Sequence, residues 1–449
     1  MVEFSDLEDQ NPWWSEPLVL QDEIKDLQKR ERWQAVLKNH LKNNIILVGP
    51  RRSGKTSLMK LSMADLLEKG VDIKKIMYLT CDLIRDYEEL KAHLDLFFEI
   101  NKGQYVFLDE IQFVSEWYRT FKYFADKKKN IFATGSCSLI IEDVANSFLV
   151  DRHSRMKLLP MKFSEMMEVK EGLQSISLRI SMKKFPSVFL SPENLYSVFE
   201  KFSERDRKKI NIHFKRYLIE GGFPKTVFKE HRPEFYQHLL EEVFSKDLSG
   251  RTKKSWQDFL LFLEYLSQCE GVSSNINTIA KGTGMNYKTV KSMIHSLEEL
   301  FIIISIPNCL KSRYKERRLE RRKIYFQDRG LKTALIKKFS PRAALYRKSE
   351  DLSRDAEAVV VENLLRTPEL DMCYFQESPT SQEIDIVARL GNQKIMIDVE
   401  WGGNYTLKKI VKKQKRCGAK TAIILTENEL SAPENNIIKI PASLFLLAF

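Results

Sequence analysis

Gly49-Pro50-Arg51-Arg52-Ser53-Gly54-Lys55-Thr56 follows directly on the apolar run Ile45-Ile46-Leu47-Val48. It leads into a helical pattern carrying Leu58, Met59, Met63, Leu66 and Leu67. The octapeptide satisfies the spacing G-x4-G-K-[ST] at every position. Gly49 and Gly54 let the backbone curl closely, so that successive N–H groups converge on a phosphate. The helix that follows adds the positive end of its dipole. Lys55 offers an ammonium to the β- and γ-phosphates, and the Thr56 hydroxyl is a hard oxygen ligand suited to Mg2+. The expected nucleotide-binding residues are Gly49, Pro50, Arg51, Arg52, Ser53, Gly54, Lys55, Thr56 and Ser57, with ATP and Mg2+ as cofactors.

Outward from this loop, short β-branched or apolar runs alternate with helical periodicity. The runs are Ile45–Val48, Ile76–Leu79, Tyr105–Leu108 and Ile131–Ala133, with a further short strand expected at Met156–Leu159. Tyr87, Leu90, Leu94, Phe97 and Phe98 supply helical spacing between two of them. Such alternation predicts a parallel α/β sheet covered on both faces. Val106-Phe107-Leu108-Asp109-Glu110 brings two carboxylates to the C-terminal edge of a buried strand, where ligands of such sheets bind. Asp109 is expected in the Mg2+ shell and Glu110 as the base that orients and deprotonates the attacking water. Thr134-Gly135-Ser136 closes the next strand, and Thr134 or Ser136 is a candidate to hold that water, with a plain turn cap as the alternative. Arg152 and Arg155 are candidates for an arginine acting on a neighbouring subunit's γ-phosphate, a role compatible with a homo-oligomer.

The 449 residues predict several domains, and 43% hydrophobic with 30% charged residues is a globular balance. No run of about 18 apolar residues is present and the first residues are acidic, so neither a membrane span nor a signal peptide is expected, and the reading is cytoplasmic. The net charge of +12 favours a polyanionic partner, nucleic acid above all. Six cysteines are scattered without a CxxC pair, three of them in apolar or small-residue settings that suit buried reduced thiols, and the spacing argues against a metal site.

Asn277 to Gly284 and Asn286 to Leu300 read as two helices around a tight turn, with Asn277 and Asn286 as N-caps. Val290, Met293, Ile294 and Leu297 form the apolar stripe of the second, the layout of a helix-turn-helix whose recognition helix is 286–300. Tyr287, Lys288, Thr289 and Lys291 are the residues expected nearest a DNA groove. Lys311–Lys323, between strands at Ile302–Ile306 and Lys323–Phe326, holds eight Lys/Arg against two Glu and reads as a basic wing. Its expected phosphate contacts are Lys311, Arg313, Lys315, Arg317 and Arg318. Further on, Asp385 on one strand and Asp398 and Glu400 on the next alternate to one face, a tentative second metal site. A basic helix is expected around Lys408–Lys420.

Gly49–Thr56, Leu-Asp-Glu-Ile-Gln at 108–112, Thr-Gly-Ser at 134–136, Tyr217-Leu-Ile-Glu-Gly-Gly-Phe-Pro224 and Lys323-Ile-Tyr-Phe-Gln-Asp328 occur in that order. This series resembles the prokaryotic AAA-type ATPases, common in archaea, that join a P-loop core to a C-terminal winged-helix and nuclease-like region. That family usually has Gly-Arg where this chain has Asp151-Arg152. Asp385 and Asp398-x-Glu400 resemble the metal-binding core of restriction-type nucleases, in which the third position is usually Lys. The fold implied is α/β: a P-loop AAA-type core (37–160) behind an N-terminal helical lead-in (1–36), a helical lid (161–245), a winged helix-turn-helix (246–340) and a restriction-endonuclease-like domain (341–449). The activity expected is a Mg2+-dependent ATPase that remodels or moves on DNA. The alternatives are a nucleotide-gated switch that docks a protein or an operator, and an ATP-coupled nuclease.

Overall fold

A computed structural model describes residues 4–449 apart from 26, 28–32, 34–36, 38–43, 101, 137–148, 150–152, 173–189, 229–233, 250–253, 311–320, 342–348, 369, 379 and 402–405. The chain divides into two compact units, Met1–Pro160 with Glu299–Phe301, and Met161–Glu298 with Ile302–Phe449. Among the described residues no helix is long and apolar enough to cross a membrane.

The first unit is built on β1 (Ile45–Val48), β2 (Ile76–Thr80), β3 (Tyr105–Asp109), β4 (Asn130–Gly135) and β5 (Ser154–Lys157). Their order is β2-β3-β4-β1-β5 and every pairing is parallel. The central strands are apolar at nearly every position because both faces are covered. The last strand begins two residues earlier than Met156–Leu159. It is an edge strand with alternating exposure, so its apolar residues do not mark its limits.

The free edge of β2 is closed by side chains. The chain enters through α1 (Phe4–Gln10) and a 3-10 turn, Pro12–Trp14, before α2 (Leu18–Lys25). Asn11 mimics a strand: its Nδ2 donates to the Tyr78 carbonyl at 2.9 Å and its Oδ1 accepts the Tyr78 N–H at 2.7 Å. Gln10 accepts from Thr80 N–H, and the Trp14 indole donates to the Ile76 carbonyl. Trp14 also stacks on Phe97 of α4 (Tyr87–Ile100), ring centroids 5.8 Å apart. The helical lead-in expected from sequence is thus interrupted where it meets the sheet.

The second unit contains a six-stranded mixed sheet of order β12-β13-β11-β10-β9-β8. Its strands are β8 (Asp371–Phe375), β9 (Ile384–Leu390), β10 (Gln393–Val399), β11 (Thr421–Thr426), β12 (Ser431–Glu434) and β13 (Ile437–Pro441). Alternation splits β10: Ile395, Ile397 and Val399 join one core and Met396 the other. The larger core also takes Met161, Phe163, Phe199, Phe214 and Leu218, so the helical region after residue 160 shares its apolar interior with the C-terminal sheet. A smaller antiparallel pair, β6 (Ile303–Pro307) and β7 (Arg322–Phe326), follows two helices at Ile276–Thr283 and Tyr287–Glu299. The first of these helices is capped by Asn275, not Asn277, because Asn275 Oδ1 accepts the Thr278 N–H at 2.8 Å. Asn286 caps the second through Thr289 N–H. Cys309 and Cys373 form a disulfide with Cα atoms 5.1 Å apart, a pairing the sequence reading did not anticipate; they are 64 positions apart, and no local spacing announces the pair.

Gly221, Gly222 and Asp328, singled out from sequence, meet in this unit. Asp328 is buried and accepts the Gly222 N–H at 2.7 Å, the Tyr236 hydroxyl at 2.8 Å and the Leu331 N–H at 3.0 Å. A Cβ at Gly221, where φ is +75°, would fall 2.2 Å from the Asp328 carboxylate. Burial raises the Asp328 pKa, and the donors from Gly222, Tyr236 and Leu331 oppose the rise. Replacing Asp328 with Ala takes this acceptor from the buried Gly222 and Leu331 N–H groups, while Tyr236 keeps the Glu220 carbonyl at 2.6 Å, at an expected cost of about 2 kcal/mol or more. Denaturant unfolding of the variant reads this directly, and an unchanged midpoint would contradict it.

Candidate functional site

The register of the first sheet puts its chemistry on one edge. Val48 lies opposite Gly135 and Thr80 opposite Asp109, so the segments leaving β1, β3 and β4 emerge together. The loop after β1 runs into α3 (Lys55–Glu68) with Arg52 (φ 63°) and Gly54 (φ 98°) left-handed. Gly49 can carry no side chain, because a Cβ there would lie 2.1 Å from the Leu158 carbonyl oxygen. Lys55 is 5% exposed, and its Nζ donates to the Gly49 and Pro50 carbonyls at 3.0 Å each. An ammonium held by carbonyls of its own loop can exchange them for phosphate oxygens with no change of fold. The loop therefore fits a nucleotide's phosphates.

Asp109 is 4% exposed and fully provided with donors. The Thr56 hydroxyl donates to its Oδ2 at 2.7 Å, the Tyr78 hydroxyl to the same oxygen at 3.0 Å, and the Thr134 hydroxyl to its Oδ1. A hydroxyl and a carboxylate in contact, beside a phosphate loop, are the oxygen ligands Mg2+ takes. Burial, followed by the charge of Asp109, pushes the Tyr78 phenol well above its ordinary pKa, so Tyr78 serves only as a donor. Nothing in the sequence marks Tyr78, which reads as one more strand residue.

Glu110 takes a left-handed conformation, φ 54°, which swings its side chain out of the strand. Its carboxylate accepts from Gln112 Nε2 and lies 3.6 Å from Arg51 Nη1. Thr134 is fully buried, and its hydroxyl, besides donating to Asp109, accepts the Glu110 N–H at 3.2 Å. It sets the positions of both acids. The Ser136 hydroxyl accepts from Gln112 at 2.9 Å, which ties the end of β4 to Glu110 through one amide side chain. Arg155 is exposed on β5, while Arg152 lies outside the described residues.

The residues of the tentative second metal site are brought only partly together. Among the described residues no group of three or more His, Cys, Asp or Glu is placed to hold a metal ion. Asp385 and Asp398 do meet, since Asp385 N–H donates to Asp398 Oδ1 at 3.1 Å and Val399 N–H to Asp385 Oδ2 at 2.9 Å. Lysine ammoniums complete the cluster. Lys323, 1% exposed, lies 2.8 Å from Glu357, 2.5 Å from Glu383 and 3.5 Å from Asp385. Lys413 lies 2.6 Å from Asp398 and 3.9 Å from Glu400. Burial lifts Glu357 to about 7 and Asp398 to about 6, with Lys323 and Lys413 respectively opposing the rise. Lys323 is therefore a buried strand residue rather than part of an exposed wing. Glu357 belongs to the helix Ser349–Leu365, whose Glu362 instead bonds Gln327.

Of the residues expected at a DNA groove, Lys288 and Lys291 are exposed on the helix Tyr287–Glu299, with Tyr287 and Thr289 half-buried. Lys311, Arg313, Lys315, Arg317 and Arg318 fall outside the described residues.

Residues 41–167 match the family model of an AAA domain, and residues 211–342 match that of a domain of unknown function, DUF8612. The latter stretch contains both Gly221-Gly222 and Asp328. An uncharacterised protein of Methanocaldococcus jannaschii is 22% identical over 214 residues, 46% of this chain and 42% of that protein, so the similarity spans less than half of the relative. AMPPCP-bound DnaA from Aquifex aeolicus is 16% identical, with 63% of this chain and 86% of that one covered and a TM-score of 0.24. Cdc6p from Pyrobaculum aerophilum is 13% identical, covering 70% and 95%, with a TM-score of 0.25. The two solved structures carry no argument at such scores. The phosphate loop, the parallel sheet and the domain match make the first unit a P-loop ATPase domain of the AAA class.

Replacing Tyr78 with Phe removes one donor from Asp109 and leaves the fold intact. The Mg2+ concentration giving half-maximal ATP turnover is expected to rise roughly three- to tenfold, the net worth of an ordinary hydrogen bond. Nucleotide binding without Mg2+ is expected to stay constant. An unaltered Mg2+ dependence would mean that Tyr78 has no such role.

Proposed function

We infer that this chain is a Mg2+-dependent ATPase that binds DNA and couples hydrolysis to remodelling of, or movement on, nucleic acid. The observation that carries the reading is the contact of the Thr56 hydroxyl with Asp109, 2.7 Å apart beside Lys55, with Glu110 projecting next to them. In this reading Gly49–Ser57 wrap the phosphates and Lys55 faces the β- and γ-phosphates. Bound Mg2+ would offset phosphate charge, with Thr56 and Asp109 as its protein ligands. Glu110 takes the proton of the attacking water at a carboxylate oxygen, held in place by Gln112 and Arg51. Thr134 acts as a positioning residue for both acids. Arg152 or Arg155 supplies charge to a neighbouring subunit's phosphate.

Support for a DNA partner comes from the charge and from the second unit. Two helices separated by Gly284 and followed by the β6–β7 pair have the order of a winged helix-turn-helix, with Lys288 and Lys291 exposed on the second helix. The closing of Glu357, Asp385 and Asp398 by two lysines favours a C-terminal module that holds nucleic acid over one that cuts it. A switch that docks a protein partner is the competing account, and turnover measurements separate the two.

Glu110→Gln is expected to lower ATP turnover on the order of a hundredfold or more while leaving nucleotide binding in place. Duplex DNA is expected to raise turnover of the unaltered chain, less so as salt is increased. Turnover indifferent to single-stranded, duplex and branched DNA alike would remove the nucleic-acid half of the reading.

A further inference from the structure

Between Trp401 and Thr426 the chain holds seven Lys/Arg and neither Asp nor Glu. Most of these cations lie on one helix, Leu407–Cys417. Its inner side is fixed to the sheet. Ile410 and Cys417 are buried, Lys413 pairs with Asp398, Arg416 pairs with Glu377 at 2.7 Å, and Lys394 donates to the Cys417 carbonyl at 3.0 Å. Two of the seven cations are therefore committed inward.

The remaining five are not. Lys408, Lys409, Lys412, Lys415 and, just beyond the helix, Lys420 are exposed, and none makes an ion pair with a described residue. Lys408 and Lys412 stand four apart, Lys412 and Lys415 three apart, and Lys409 and Lys412 three apart, so they are neighbours on the helix surface. Each such like-charge pair destabilises the helix by a few tenths of a kcal/mol. A helix that carries this repulsion on a rigidly anchored face gains most from a polyanion. Residues 406–420 contain no aromatic side chain on which an unpaired base could stack. The chemistry matches the phosphates of a duplex, and it offers nothing that reads a base edge.

We propose that the outward face of this helix is a docking surface for the phosphodiester backbone of duplex DNA, independent of sequence and of any metal chemistry in the C-terminal module. The proposal rests on the nucleic-acid reading above and assigns it a second point of contact, away from Lys288 and Lys291.

The test is binding of the full chain to a fluorescent duplex of about 30 base pairs, by anisotropy across a salt series. The proteins are the unaltered chain, Lys408→Gln/Lys412→Gln/Lys415→Gln, the same three positions changed to Arg, and Lys288→Gln/Lys291→Gln. The triple Gln variant is expected to reduce the slope of log K against log salt by about 2 to 3, and to weaken binding at least tenfold near 0.1 M salt, for any duplex sequence. The Arg variant retains both. Should the triple variant fail to fold, Lys412→Gln alone is expected to lower the slope by about 0.9. An unchanged slope in the Gln variants, with a reduced one in Lys288→Gln/Lys291→Gln, overturns the proposal and leaves the nucleic-acid reading standing. No duplex binding by the unaltered chain, with ATP turnover indifferent to DNA, overturns both. Polyglutamate displacing the duplex as well as unlabelled duplex does, at equal charge, would also overturn it in favour of an acidic polypeptide.

Discussion

A carboxylate withdrawn from water must be met by donors or cations, and this chain is organised around that constraint. Asp109 is met by three hydroxyls, which fix the end of β3 against the phosphate loop. Asp328 is met by two backbone N–H groups and a phenol, which fix the Gly221-Gly222 turn. Glu270 is met by the Arg329 guanidinium through two contacts at 2.6 and 2.9 Å, and by Lys332. Glu357, Asp385 and Asp398 are met by Lys323 and Lys413. The neutral donors around Asp109 and Asp328 contrast with the cations that meet Glu270, Glu357, Asp385 and Asp398. Around Asp109, beside the phosphate loop, no described ion pair occupies the carboxylate.

The parts that rest on local chemistry were legible in the sequence. The phosphate loop, the strand ends at Asp109 and Gly135, and the helix from Tyr287 all follow from short motifs, apolar runs and capping residues, which act over a few positions. What escaped notice depends on long-range neighbours. Tyr78 becomes part of the site only because β2 lies beside β3, and Lys323 enters a carboxylate cluster only because β7 folds near the helix carrying Glu357. The Cys309–Cys373 bond and the Asn11–Tyr78 pairing are of the same kind. Asn275 for Asn277 is a smaller miss, an ambiguity between two equally good caps two residues apart.

The geometry gives a reason for Gly221-Gly222 and Asp328 to stand together in this chain. A side chain at Gly221 would strike the Asp328 carboxylate, and one at Gly222 would strike the Met161 carbonyl at 2.1 Å. The Met161 N–H in turn donates to the Gly222 carbonyl at 2.6 Å, and Tyr217 donates to the Met161 carbonyl at 2.8 Å. These residues form a close-fitting joint rather than a ligand site. The two glycines reflect steric exclusion and need no chemistry to explain them.

The side-chain cover over β2 has an implication for handling the protein. Gln10, Asn11 and Trp14 occupy backbone groups of a flat edge that would otherwise be open to another strand. A preparation trimmed by protease before Trp14 would keep its phosphate loop yet expose an adhesive border. Loss of monodispersity in such a sample would then report an unsealed sheet margin, not a failure of the nucleotide-binding core.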